Sequence, residues 1–264
     1  MGLSRPVVLA ALLLCACGGE QQHAPATAPP AGAPAATPAS EGATTEGAAY
    51  VPGTVADAGR VGGRVVFQGT ARPARPIQVT KDSAVCGAVA HTDESLVVGP
   101  DGGVRYAVVS IGPIARGKPW PAAAGPSLDQ HSCWFIPHVQ VIPAGATLDV
   151  VNSDGILHNI HTYPKNNPPA NMAQPKFKKT LQLPFQAPDV VKVNCDVHSW
   201  MSAWIVVAAH PYYAVTDGHG GFSLEGVPPG TYTLRAWHET LGTREQPITV
   251  APGGAAEATI TFQE

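Results

Sequence analysis

The sequence has few charged residues and no cluster of basic ones. Charged residues make up 13% of its 264 positions, and the formal net charge is −3. Nothing therefore indicates nucleic-acid binding, which requires a concentrated positive surface. The chain holds 28 glycines and 27 prolines, both of which break helices. Long helices are thus disfavoured, and the abundance of turn residues predicts an all-β protein.

The sequence also lacks the motifs of common enzyme classes. It contains no Gly-x-Ser-x-Gly nucleophile motif and no His-Glu-x-x-His zinc motif. It shows no second copper centre of the multicopper-oxidase type. Glu225, His238 and Glu239 are interpreted as surface residues. We therefore expect a protein that is not an enzyme.

The apolar run at the N-terminus is too short to span a bilayer and is typical of an export signal. It follows Arg5 and ends in Leu14-Cys15-Ala16-Cys17, which resembles a bacterial lipobox. We interpret residues 1–17 as a lipoprotein signal peptide with lipidation at Cys17. An ordinary cleaved signal and modification at Cys15 are the alternatives. Gly18 after the cysteine resembles the Gram-negative sorting pattern for the outer membrane, so we expect a periplasmic protein anchored there.

Residues 18–57 are rich in Ala, Pro, Thr and Gly and contain almost no large apolar side chain. Such a segment cannot bury enough surface to offset the entropy cost of ordering, so we expect a disordered tether. From residue 58 onward, short apolar runs separated by Gly, Pro and Asp predict β-strands. We divide this part into a β segment at 58–99, a domain at 100–208 and a smaller domain at 209–264.

The most informative stretch is Cys195-x2-His198-x2-Met201, which follows a predicted strand. A thiolate, an imidazole and a thioether in this order are three of the four ligands that a blue-copper site uses. A histidine from elsewhere must supply the fourth. As alternatives, Cys195 could form a disulfide, His198 could lie at the surface, and Met201 could belong to the core.

The cysteine count bears on whether the Cys195 thiol is free. After signal cleavage and lipidation three cysteines remain, so one must be unpaired. A disulfide between Cys86 and Cys133 is the economical interpretation for an exported protein. A pairing of Cys133 with Cys195 stays open and would destroy the metal site.

Residues 100–208 resemble a cupredoxin, and the spacing of the ligand loop is similar to that of amicyanin. The resemblance is carried by Phe135-x-Pro137, a strand ending in Asn152, the pair His158-Asn159 and the loop from Cys195 to Met201. It departs at Val197, where many small cupredoxins have proline. It implies a Greek-key β-sandwich with one mononuclear type 1 copper, ligated by His158, Cys195, His198 and Met201.

The resemblance also implies that Asn159 ties the ligand loops together by hydrogen bonding. His158 and His161 lie three residues apart on a predicted strand, so only one should face the metal. His131, His138 and His161 are either solvated or part of a second, surface copper site. Trp200 and Trp204 should pack near the ligand loop, and an exposed Trp200 beside His198 could dock a redox partner.

The C-terminal part resembles a carboxypeptidase regulatory-like, transthyretin-like β-sandwich. Its Thr216-Asp217-x-x-Gly220-x-Phe222 and Val227-Pro-Pro-Gly-x-Tyr232 segments carry this resemblance. The first strand of such a sandwich is missing there, but residues 63–69 look like it. We therefore hypothesise that residues 60 to about 80 pair with residues 211–264 and that the cupredoxin-like domain is inserted between them. The alternative is that the early strands extend the cupredoxin-like sheet.

The functional expectation is a membrane-tethered copper protein that carries single electrons in the cell envelope. A copper-binding or copper-delivery module without redox traffic is the second hypothesis. A structural β-sandwich lipoprotein that has lost the metal is the third.

Overall fold

The structure is a computed structural model that describes residues 49–70, 73–122 and 125–264. The signal peptide, Cys17 and most of the predicted tether lie outside the described residues. The strands are, in chain order, β1 Val51–Pro52, β2 Gly59–Gln68, β3 Val108–Gly112, β4 Arg116–Gly117, β5 Ser127–His131, β6 Trp134–Ile136, β7 Val139–Pro143, β8 Ala146–Asn152, β9 His158–Tyr163, β10 Asn171–Gln174, β11 Thr180–Phe185, β12 Asp189–Asn194, β13 Ser202–Ala208, β14 Tyr213–Val215, β15 Gly221–Val227, β16 Gly230–His238, β17 Gly242–Val250 and β18 Ala255–Gln263. The helix α1, Ser83–Cys86, is one turn long. The all-β prediction is confirmed.

Strands β5 to β13 form the central sandwich, which is built from two sheets. One sheet has the order β10-β9-β12-β13-β7, and the other has the order β11-β8-β5-β6. Strand β11 shows why this sequence forms a two-layer structure, because Leu181, Leu183 and Phe185 are buried and the residues between them are exposed. Alternation with period two places one row of side chains in the core and the other in solvent.

Strands β2, β3 and β14 to β18 form the outer sandwich. Its sheets have the orders β14-β3-β16-β17 and β15-β2-β18. The insertion hypothesis requires Val65 to pair with a C-terminal strand, and in β2 it lies opposite Ile260 of β18. Gly63 of the same strand has a φ of +151°, and an added Cβ would collide with the carbonyl of Ala258, so only glycine fits there.

The central sandwich begins later in the chain than the start of the predicted domain 100–208. Strand β3 lies inside that segment, yet it pairs with β14 and β16 of the outer sandwich. Its residues Val109 and Ile111 belong to the outer core. The reason is that β3 leads into the central sandwich and β14 leads out of it, so the two strands adjoin at the junction.

The predicted tether also ends earlier than residue 57. Val51 and Pro52 of β1 pair in parallel with β4, and the Tyr50 hydroxyl donates to the Lys118 carbonyl at 2.5 Å. The Tyr50 ring packs edge-on against Tyr212. Tyr50 and Val51 are the first large apolar residues after a long stretch rich in Ala and Pro, and their contacts offset the cost of ordering this end of the chain.

The two sandwiches meet through the outer face of β13. Val206 packs with Val108 and Val139 in a small cluster, and Trp204 stacks edge-to-face on Trp237 at 5.1 Å. Because its other face lies in the central core, β13 is apolar on both sides, as expected of a strand buried between two layers. Among the described residues, no helix has the length and apolar character needed to cross a membrane.

Candidate metal centre

Three of the four predicted ligands meet at one end of the central sandwich. The Cys195 Sγ lies 3.8 Å from Nδ1 of His158 and 3.9 Å from Nδ1 of His198, and the two Nδ1 atoms are 3.0 Å apart. Neither imidazole has any exposed surface, and Cys195 is 1% exposed. These atoms form one of the clusters in the described residues that could hold a metal ion.

The sheet of β9, β12 and β13 brings these residues together. His158 begins β9, and Cys195 follows the last residue of β12. These strands are antiparallel neighbours, with Asn194 opposite His161, so the start of β9 lies beside the end of β12. His198 lies in the short loop between β12 and β13.

The fourth predicted ligand, Met201, closes this loop. Its N–H donates to the His198 carbonyl at 2.9 Å, and its carbonyl accepts from the Cys195 N–H at 3.2 Å. The Met201 side chain is fully buried and packs in the same core cluster as Cys195. The loop thus buries the thioether in the core cluster that contains Cys195, and the role of Met201 as the axial ligand stays a prediction.

Each imidazole is held from behind by a carboxylate. The Nε2 of His158 lies 2.9 Å from Asp154, which is buried, and the Nε2 of His198 lies 2.8 Å from Asp82. Asp154 is itself fixed, because it accepts the N–H groups of Ser132 and Cys133.

These contacts determine where the ring protons lie. A carboxylate can only accept a hydrogen bond, so each Nε2 carries a hydrogen and each Nδ1 is left with a lone pair in the neutral ring. Two such lone pairs face each other at 3.0 Å. Only a proton or a metal cation between them can make that distance favourable, and both imidazoles are fully buried.

The surroundings of Cys195 favour the thiolate. Burial opposes ionisation, but hydrogen bonds from His158 and from the backbone N–H groups of Asn159, His198 and Val197 hold the pKa of the thiol below its usual value. Burial also opposes protonation of His158, but Asp154 and Cys195 raise its pKa. The pKa of His198 is lowered by burial and by its neighbour His158, against the opposing effect of Asp82. The thiolate is the form that binds metal.

Asn159 connects the two ligand segments. Its N–H lies 3.5 Å from the Cys195 Sγ, and its side-chain oxygen accepts the N–H of Asp196. Its side-chain nitrogen donates to Asn171 at 2.8 Å and to Asp196 at 3.2 Å. These contacts join β9 to the residue that follows the thiol, as the resemblance implies.

The disulfide between Cys86 and Cys133 is present, and Cys195 is the free, buried cysteine of the described residues. The two sulfur atoms of this disulfide lie next to the site, since Cys86, Cys133 and His198 have ligand atoms within 4.8 Å of one another. The alternative pairing of Cys133 with Cys195 is therefore not the one that forms.

The other histidines of this region lie apart from the cluster. His161 points away from His158 and bonds to Asp196 at 3.1 Å. His138 is buried against Glu239, and His131 is exposed. In the described part of the chain, none of the three belongs to a group of metal-ligand atoms.

Some residues differ from their predicted environments. Glu239 is mostly buried, accepting from Trp204 Nε1 at 2.8 Å and contacting His138, and His238 is 1% exposed, so both differ from the predicted surface position. His198 has no exposed surface, and Trp200 is half-buried with its Nε1 donating to the Cys133 carbonyl. A partner docking here would contact the covering residues and not His198 itself.

The donor set fits copper by its chemistry. One thiolate and two imidazole nitrogens converge in a buried site, with a buried thioether in the same core cluster, and together they form the soft and borderline combination that type 1 copper uses. Sequence reasoning missed Asp154 and Asp82. Asp154 could have been found, because it lies in the turn four residues before His158. Asp82 is 116 residues from His198 in sequence and gave no signal.

Residues 202–263 match the family model of the carboxypeptidase regulatory-like domain. The match covers β13 to β18, whereas β2 and β3, which complete the outer sandwich, lie before it. The comparison with curated proteins found no match.

Several solved structures are similar to part of the chain. A copper-containing nitrite reductase from Thermus scotoductus SA-01 is 22% identical with a TM-score of 0.29, over 37% of this chain and 25% of its own. The chain thus spans about a quarter of that enzyme. A purple cupredoxin from Nitrosopumilus maritimus is 21% identical with a TM-score of 0.25, over 31% of this chain and 99% of its own.

A Cu(I) form of an amicyanin variant is 17% identical with a TM-score of 0.29, over 38% of this chain and 98% of its own. The amicyanin variant and the purple cupredoxin are each matched over almost their full length. The chain therefore has a C-terminal part that matches the carboxypeptidase regulatory-like domain, and the similar solved structures include cupredoxins.

Proposed function

We propose that this protein is a mononuclear type 1 copper protein that carries single electrons. The observation that carries the proposal is the pair of buried Nδ1 lone pairs, 3.0 Å apart and facing the Cys195 sulfur. When bound there, copper would supply a one-electron couple between Cu(I) and Cu(II). His158, Cys195 and His198 would hold it, with Met201 as the weak axial ligand.

The protein residues around these ligands suit electron transfer better than substrate chemistry. Both imidazoles are fixed by carboxylates, and the Cys195 sulfur receives a contact from the Asn159 N–H. Such outer contacts fix the ligand orientation and tune the metal. The ligand atoms are buried, so a substrate has no direct access to them. We accordingly propose no catalytic activity.

The cellular setting is part of the proposal. We propose lipidation at Cys17, anchoring to the outer membrane and action in the periplasm, on the basis of the lipobox-like sequence. A soluble redox protein would be the partner, docking near the rim formed by Trp200 and the residues that cover His198.

Copper delivery is the second candidate function. It is favoured by the soft donors alone, since a thiolate, a thioether and imidazoles also bind Cu(I) tightly. A structural lipoprotein without metal is the third, but it leaves the convergence of three buried ligand atoms without a purpose.

An absorption spectrum of the purified protein with Cu(II) tests these functions. An intense visible thiolate-to-copper band that is lost in Cys195→Ser, together with reversible reduction, would support the electron carrier. Tight Cu(I) binding without such a band would favour delivery. No copper binding would leave only the structural role. His161→Ala serves as the control, because His161 lies outside the cluster, and its band should be unchanged.

A further inference from the structure

The two carboxylates that hold the histidines belong to segments joined by one disulfide. Asp82 precedes α1, and the Cys86 N–H at the end of that helix donates to the Asp82 carbonyl at 2.9 Å. On the other side, the Cys133 N–H donates to Asp154 at 2.8 Å. The Cys86–Cys133 bond therefore connects the residue that supports His198 to the residue that supports His158.

These contacts form a closed ring around the imidazole pair. Starting at His198, the ring passes through Asp82, Cys86, Cys133 and Asp154 and returns at His158. Every link is either covalent or a hydrogen bond of 2.8 to 2.9 Å. This ring of contacts limits the distance between the two imidazoles, because neither imidazole can rotate out of the site while its carboxylate stays in place.

The segment that carries Asp82 is also packed firmly over the site. The His91 Nε2 contacts the Cys86 carbonyl at 2.7 Å, and the His91 ring lies 4.8 Å from that of Trp134. Trp200 lies between the rings of His91 and His198, at 6.5 and 5.3 Å. Residues 82–91, which we call the cap, thus cover the outer edge of His198. The buried disulfide anchors the cap to the central sandwich.

We propose that the Cys86–Cys133 disulfide acts as a clamp that positions both histidine ligands through Asp82 and Asp154, so that copper is retained only while the clamp is closed. The inference rests on the proposed copper function and adds a role for residues outside the ligand set. Asp82 and the two cysteines are positioning residues. Opening the disulfide releases the cap, and His198 then loses its carboxylate and its cover together.

The position of the disulfide argues against a role in fold stability alone. A disulfide that only stabilised the fold could lie anywhere between two distant segments. Here its sulfur atoms lie within 4.8 Å of a His198 ligand atom. The backbone N–H of Cys133 also donates to Asp154, the carboxylate that holds His158. Replacement of such outer supports typically costs 10- to 100-fold in metal affinity.

Extraction of Cu(I) by a chromogenic chelator, bathocuproine disulfonate, tests the clamp. Protein loaded with Cu(I) is mixed with excess chelator, and the extraction rate is measured for wild type, Asp82→Ala, Asp82→Asn and the double variant Cys86→Ser/Cys133→Ser. We expect extraction about 10 to 100 times faster in Asp82→Ala and in the double variant. Asp82→Asn should be intermediate, because its amide oxygen can still accept the His198 proton without a charge.

Two controls separate the clamp from general effects. Asp101→Ala removes an aspartate of similar exposure, 42% against 40% for Asp82, from the outer sandwich and should leave the rate unchanged. Asp189 begins β12 at the end away from the site and accepts the N–H groups of Lys165 and Asn166. Asp189→Asn should therefore destabilise the central sandwich and also leave the extraction rate unchanged. A second readout is the reduction potential, which should rise in both Asp82→Ala and Asp82→Asn, because each variant loses a nearby negative charge that favours Cu(II).

Each outcome decides between the alternatives. Extraction within about twofold of wild type in both Asp82→Ala and the double variant would overturn the clamp while leaving the copper function intact. Fast extraction in the double variant alone would show that the disulfide does not act on His198 through Asp82. If the double variant fails to fold, wild type whose disulfide has been reduced with a phosphine before copper loading takes its place, and an extraction rate within about twofold of the untreated protein would overturn the clamp. If the wild type binds no copper, the proposed function and the clamp both fall.

Discussion

At the scale of single residues, the site depends on a division of roles between the two nitrogens of each histidine. In His158 and His198 the outer nitrogen is bound to a carboxylate, and the inner nitrogen faces the thiol. This arrangement fixes the tautomer and the direction of the lone pair before any metal arrives. Preorganisation of this kind is what a carrier needs, because its ligands should move little between oxidation states.

Asn159→Ala should weaken the connection between the ligand segments. The variant loses the side-chain contacts to Asp196 and Asn171, all of which are partly buried. We expect a loss of about 1–3 kcal/mol in the free energy of unfolding of the copper-free protein, since buried partners are left unsatisfied. Chemical denaturation measures this loss. Asn171→Ala removes a partner on the exposed side and should cost less, and equal costs would contradict the role given to Asn159.

Met201→Leu tests the axial prediction without disturbing the core. Met201 is fully buried, and an apolar replacement of similar volume usually costs less than about 1.5 kcal/mol. If the thioether is the axial ligand, its loss removes a donor to Cu(II), and the reduction potential should rise. Cyclic voltammetry measures this change, with thermal unfolding as the check on stability. A potential identical to that of wild type would show that Met201 serves only the core.

At the scale of elements, one carboxylate helps to hold the loop that follows β9 against the start of β12. Asp189, the first residue of β12, accepts the N–H groups of Lys165 and Asn166 at 2.9 and 2.7 Å and the side-chain amide of Asn167. Burial opposes its ionisation, but these hydrogen bonds hold the pKa of Asp189 below its usual value. The loop after β9 is thereby fixed at the end of the sheet opposite to the metal centre.

Asp189→Asn should therefore destabilise the protein in a pH-dependent way. At pH 7 we expect a loss of about 1–3 kcal/mol, since hydrogen bonds to a charged acceptor are weakened. Because the folded-state pKa is lowered, this stabilisation is fully present above the unfolded-state pKa of about 3.9 and is lost as the pH falls through the folded-state value. Urea unfolding of both proteins between pH 7 and 3 should show the difference shrinking below about pH 4. A difference that stays constant with pH would contradict the assignment.

At the scale of the whole molecule, one sandwich is inserted into another. The chain enters the central sandwich after β3 and returns at β14, and these two strands pair with each other at the junction. His210 lies on the return segment, with its ring 5.9 Å from those of Tyr50 and Tyr212 and 5.0 Å from that of Tyr213. Burial among these rings lowers the pKa of His210 to about 4.

His210 should make the protein sensitive to mild acid. It stays neutral in the folded state down to about pH 4, whereas the unfolded chain takes up a proton near pH 6.5. The unfolded state therefore binds more protons between these values, so stability falls as the pH drops through this window and the effect is complete below it. Melting temperatures of the copper-free protein measure this fall. His210→Gln should flatten the profile between pH 6.5 and 4, and an unchanged profile would refute the role of His210.

Local sequence carried much of the prediction. The many helix breakers and turn residues predicted an all-β chain, and period-two alternation marked strands such as β11. The spacing from Cys195 to Met201 identified three candidate ligands because they lie in one loop. The unpaired cysteine could be inferred by counting. These features depend on residue type and short spacing, which are visible in a linear chain.

Other features were decided only by long-range packing. The membership of β3 in the outer sandwich depends on its pairing with β16, more than a hundred residues away, and its own residues look the same in either sheet. The support of His198 by Asp82 depends on how the disulfide-linked cap folds over the loop. The sequence by itself determined which chemical groups are available to a metal, and the tertiary structure decided which atoms face one another, because that depends on contacts between segments far apart in the chain.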